Sequence, residues 1–77
     1  MFDYLTLKNS YIAAVQMGLC LGLSDPKRGN DLLHDFCEKL IDNSNYSESD
    51  KQKMKNELDA VKETLSIEID QYIQRVE

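Results

Sequence analysis

Tyr11–Leu23 reads YIAAVQMGLCLGL, thirteen residues with no formal charge and one plainly polar side chain, Gln16. On a surface helix the apolar residues gather into one stripe. Wound at about 100° per residue, this stretch instead shows apolar or small residues nearly all round. A helix made from it needs cover on most sides. It is too short to span a membrane, which takes roughly 18–20 apolar residues. It is also a poor signal peptide. The flank ahead of it carries Asp3 and a single Lys8, and the following Leu-Gly-Leu-Ser suits no cleavage site. The stretch therefore predicts a helix covered partly by the rest of the chain, with the remainder either covered by a second copy or another protein or left exposed.

Ala14, Gly18 and Gly22 recur at intervals of four and make a ridge of small residues along this helix. Such a ridge lets a second helix approach closely. Gly22 also suits a helix C-cap, with Leu23 as the apolar residue just past it. A mid-helix Gly18 costs roughly 1 kcal/mol against Ala, and close packing would offset that cost.

Working outward, helix 1 is expected from Asp3, a capping residue, to Gly22. Ser24-Asp25-Pro26 marks a break, with Asp25 able to cap and Pro26 suited to a first helical position. Lys27 and Arg28 sit badly at the positive end of a helix, which places an alternative start at Asn30 or Asp31. Helix 2 then runs to about Asp42. Leu32, Leu33, Phe36, Cys37, Leu40 and Ile41 fall within half its circumference, with Asp31, Asp35, Lys39 and Asp42 on the rest. The polar run 43–48, NSNYSE, is a turn. Ser49 with Gln52, or more weakly Ser47 with Asp50, makes a capping box.

Helix 3 continues to near the C-terminus, with an apolar seam of Met54, Leu58, Val61, Leu65, Ile69, Tyr72 and Val76. The pairs Leu58/Ile69, Val61/Tyr72 and Leu65/Val76 share an eleven-residue spacing, which favours nearly straight packing over a heptad supercoil. At 1.5 Å per residue it spans roughly 42 Å and should overhang its shorter neighbours. The expected fold is all-α: residues 1–77 form a single domain, a small three-helix bundle with a long C-terminal helix. Its predicted core is Leu32, Phe36, Leu40, Leu58, Val61 and Leu65.

A chain of 77 residues buries only about 60% of its unfolded surface, and oligomerisation is one remedy. A homodimer is therefore expected, through the Ala14 and Gly18 side of helix 1 or the Ile69, Tyr72, Ile73 and Val76 end of helix 3. The net charge of −5, with its basic residues scattered, argues against direct nucleic-acid binding, which needs a basic footprint. Opposite the helix 3 seam, Asp59, Glu63 and Asp70 line up with Ile67 beside them. This is either a solvated face or a docking strip for a basic protein partner.

Two cysteines without a clear export signal read as reduced thiols, which places the chain in the cytoplasm, away from any membrane. His34, Cys37 and Glu38 share one turn with Asp31 and Asp35 nearby, but there is no CxxC or HxxxH pair and no glycine-rich phosphate loop. No metal, cofactor or catalytic residue is expected, and the chain does not read as an enzyme. The function expected is that of a small acidic helical protein-binding module acting stoichiometrically as a dimer: an inhibitor, an immunity-type or antitoxin-like factor, or a chaperone-like factor. The alternative is a structural homo-oligomeric assembly protein with no separate target. A small metal- or thiol-dependent enzyme is a distant third.

Overall fold

The computed structural model describes residues 3–22 and 24–76, the last two of these as backbone only. It has three helices, α1 (Tyr4–Cys20), α2 (Pro26–Asp42) and α3 (Glu48–Val76), and no strand among the described residues. The protein is an all-α bundle with a long C-terminal helix.

The boundaries follow from local chemistry. Asp3 is extended, and its carboxylate accepts from the Leu5 N–H at 3.3 Å and the Thr6 hydroxyl at 2.6 Å. At the other end of α1, Gly22 takes φ +74° and its N–H reaches the Leu19 carbonyl at 3.1 Å. That left-handed residue is the C-terminal stop the sequence suggests; Leu23 lies outside the described residues.

The second helix starts at Pro26 rather than at Asn30 or Asp31. Asp25 caps it by accepting from the Arg28 N–H at 3.2 Å. Lys27, unfavourable next to the helix's positive end, is paired with Asp70 of α3 at 2.6 Å. At the third helix, Ser47 is the cap in place of Ser49: its hydroxyl accepts from the Asp50 N–H at 3.2 Å. Glu48 and Asp50 then lie in the first turn, where the helix dipole favours negative charge.

Side-chain pairs across the bundle give its topology. Tyr4 meets Glu57 and Gln16 meets Glu68, so α1 and α3 run parallel. Lys27 meets Asp70, Asp31 meets Lys62 and Asp42 meets Lys55, so α2 runs against both. The 29 residues of α3 set the 45 Å long axis of an otherwise slim molecule, 20 by 16 Å across.

Tyr11, Val15 and Leu19 of α1, Cys37 and Ile41 of α2, and Leu58, Leu65 and Ile69 of α3 form the core. Leu58 and Leu65 match the expected set. Val61 and Leu40 are only half-buried, and Leu32 and Phe36 are each 58% exposed. In α2, Asn30, His34, Cys37 and Ile41 face inward instead. Hydrophobic pattern alone favoured the Leu32–Phe36 arc; polar partners on α1 and α3 select the neighbouring one.

The expected overhang of α3 is shorter than the helix lengths suggest. Ile69 is fully buried and Ile73 packs against the core, because the last turn of α1 and the start of α2 reach this level. Ile69 is therefore a core residue and not a dimer contact. Tyr72 is 37% exposed, and the Val76 side chain lies outside the described residues.

Candidate functional site: an outward apolar edge on α1 and α2

The rotation of α2 is fixed by a buried polar network. Asn30, 2% exposed, accepts from the Tyr11 hydroxyl through Oδ1 and donates through Nδ2 to the Lys62 carbonyl at 3.1 Å. One side chain thus ties all three helices together, and both ends of its amide are satisfied, as burial demands. His34, 5% exposed, approaches Asp59 of α3 with Nε2 at 2.7 Å, and its ring lies tilted against Tyr11 with centroids 6.5 Å apart. Burial pushes the Tyr11 phenol and the Cys37 thiol above their usual ranges. Beyond the network, Lys62 reaches Asp31 at 3.2 Å and Lys55 pairs with Asp42, which holds that lysine's ammonium above its usual range.

This arrangement turns the most apolar edge of α2 to solvent. Leu32 and Phe36, four residues apart and each 58% exposed, share one outer face, with Gly29, Leu33 and Leu40 beside them half-buried. At the end of α1, Met17 and the C-capping Leu21 are 61% and 74% exposed, again four residues apart. Between the two helices, Ala14 and Gly18 of α1 and Gly29 and Leu33 of α2 line a narrow cleft of about 40 Å3. Met17, Leu21, Leu32 and Phe36 are thus each more than half exposed, along the two helices that flank this cleft.

A second surface runs between the parallel pair α1 and α3. Its floor includes Ile12, Val61 and Leu65, and its walls Gln16, Glu57 and Glu68; its two halves, about 320 and 270 Å3, meet at Gln16 and Glu68. Tyr4 and Lys8 bind Glu57 at one end, and their hydrogen bonds hold its carboxyl below the usual range. Burial and that carboxylate together push the Tyr4 phenol upward.

The residues marked out by sequence are scattered by the fold. Gly18 is buried and lines the α1–α2 cleft, and Ala14 is exposed at the same cleft. The acidic row does not stand as one free strip. Asp59 is engaged by His34 and Asp70 by Lys27, which leaves Glu63 and the 57% exposed Ile67 on the outer side of α3. Leu32 and Phe36 were missed as surface residues because their spacing is that of a core face. The signal that could have placed them is the second arc of α2, where Asn30 and His34 share a side with Cys37 and Ile41. No helix among the described residues is long and apolar enough to cross a membrane. Compared with known proteins, the chain matches no protein-family model, no curated protein and no solved structure.

Proposed function

We propose that this chain is a protein-interaction module that works stoichiometrically, by binding rather than by chemistry, and that the outward edge of α1 and α2 is its binding surface. The observation carrying this reading is the inversion of α2: Phe36 and Leu32 stand in solvent while Asn30 and His34 are buried. Isolated exposed apolar residues are ordinary. Four large ones on two adjacent helices, with small residues between them, are a surface prepared for contact.

The occupant favoured is a second copy of the chain. With Ala13, Ala14, Gly29 and the half-buried Leu33 and Leu40 added to the four large side chains, the edge approaches the roughly 800 Å2 per partner of a stable interface. A two-fold dimer uses the same patch on both subunits, so one edge suffices. The test is light scattering over a dilution series on the wild type and on the double variant L32D/F36D. The wild type should be dimeric at micromolar concentration and dissociate on dilution, and the double variant should be a folded monomer at every concentration. A wild type that stays monomeric at high micromolar concentration overturns the homodimer.

A second reading assigns the α1–α3 groove to a helix of another protein. Its support is the open apolar floor with Glu57 and Glu68 at the margins, a setting that suits an amphipathic helix with basic flanks.

A further inference from the structure

Glu57 and Glu68 stand eleven residues apart on α3, close to three full turns and about 16 Å of rise. They share one side of the helix, and both line the 270 Å3 half of the groove between α1 and α3. Between them the groove is apolar or small. Ile12 and Val61 are half-buried, Leu65 is buried, and the exposed Ala60 and Thr64 keep the α3 rim low. The Thr64 hydroxyl is already given to the Ala60 carbonyl at 3.1 Å. Each carboxylate keeps one oxygen open. At Glu57 the Tyr4 hydroxyl and the Lys8 ammonium both donate to Oε1, and at Glu68 the Gln16 amide reaches Oε2 at 3.5 Å. No donor among the described residues takes Glu57 Oε2 or Glu68 Oε1.

Resting on the reading that this groove takes a helix of another protein, we propose that the partner is an amphipathic α-helix with two basic residues eleven positions apart beside its apolar stripe. Two such residues leave one side of the partner helix with the same rise of about 16 Å, so one cation meets the open oxygen of Glu57 and the other that of Glu68. Apolar residues four and seven positions after the first cation fall between them on that side and cover Ile12, Val61 and Leu65. A helix with only apolar residues would strip water from both carboxylates and return no hydrogen bond. A helix with acids there would add like-charge repulsion. Lys8 offsets part of the charge at Glu57, but it is bound to Oε1 and its side chain is 24% exposed against 49% for the carboxylate. The same device already works on the other flank of α3, where Lys27 and Asp31 of α2 pair with Asp70 and Lys62 beside the apolar core. The net charge of −5 favours the approach of a basic partner.

The experiment is fluorescence anisotropy with the full chain and three labelled helical peptides that share one apolar pattern. The first carries two lysines eleven positions apart, the second two lysines seven positions apart, and the third glutamates in place of the first peptide's lysines. The first should bind, the second about threefold more weakly for want of one exposed ion pair, and the third weakest of all. Glu57→Gln and Glu68→Gln should each weaken the first peptide about threefold and flatten its salt dependence, without weakening the third. A60Q/T64Q, two neutral changes at exposed helical positions, should fill the groove and abolish binding of every peptide, whereas L32D/F36D should change none. Binding that A60Q/T64Q removes, but that is equal for the three peptides, would overturn the paired-cation recognition and leave the groove as a helix site. No binding of any peptide up to millimolar concentration would overturn the groove reading as well. So would binding lost in L32D/F36D and kept in A60Q/T64Q.

Discussion

Across α2, the inward face carries Asn30, His34, Cys37 and Ile41, and the outward edge carries Leu32 and Phe36. The inward face is the more polar of the two. It is held by directional contacts: Tyr11 to Asn30, Asn30 to the Lys62 carbonyl, and His34 to Asp59. The outward edge has no such ties. Hydrophobic contact is non-directional and roughly proportional to area, so an apolar face could pack at several rotations. Asn30 fits only where a hydroxyl and a free carbonyl lone pair are both in reach. The comparison teaches that in a bundle this slim, the register of α2 is specified by polar matching, and its apolar edge is left in solvent.

The comparison can be broken most forcefully on the inward face. Ile41→Ala and Leu58→Ala, at fully buried positions, should each cost about 2–5 kcal/mol in urea unfolding, with Phe36→Ala at under about 1 kcal/mol when measured in dilute solution. Equal losses at Ile41 and Phe36 would break the distinction between the two faces.

Asn30→Ala should cost about 1–3 kcal/mol, because it leaves the Tyr11 hydroxyl buried without its acceptor. Tyr11→Phe should cost comparably by stranding Asn30 Oδ1, and the double variant should cost less than the sum of the two, as coupled partners do.

A titration sharpens the same comparison. The Tyr4 and Tyr11 phenols are raised in the folded chain, so the fold retains protons that the unfolded chain releases near pH 10. Their contribution is fully present below about pH 10 and is lost as pH rises past it. Glu57 behaves oppositely: its carboxyl is lowered from 4.5 in the fold, so its contribution is present above that pH and lost as pH falls below it. Tyr4→Phe should flatten the alkaline limb of a stability–pH curve and Glu57→Gln the acid limb.

The smallest expected effect lies between the two faces. A Cβ at Gly29 would meet nothing within 4 Å, so Gly29→Ala should raise Tm by removing a helix penalty of up to about 1 kcal/mol.

Much of the architecture was legible in the sequence. Asp3, Gly22 and the Asp25-Pro26 pair mark helix ends in the residues themselves, and the Leu58–Leu65 seam reads directly as core. The rotation of α2 was not legible, since two overlapping arcs share Cys37 and Ile41 and the choice rests on groups from Tyr11, Asp59 and Lys62 far along the chain. The same limit hid the contact of buried His34 with Asp59, 25 residues away. The acidic row of α3 was visible as a pattern, but not the histidine and lysine of α2 that engage Asp59 and Asp70.

The most direct test of the inverted α2 is circular dichroism and urea unfolding of L32D/F36D beside the wild type, both diluted until light scattering shows the wild type monomeric. Two carboxylates placed in solvent leave a helical protein that unfolds cooperatively, within about 1 kcal/mol of the wild-type monomer, as surface changes do. Two carboxylates forced into a core cost several kcal/mol. Loss of the helical spectrum or of cooperative unfolding would show that Leu32 and Phe36 are buried and that α2 is rotated the other way.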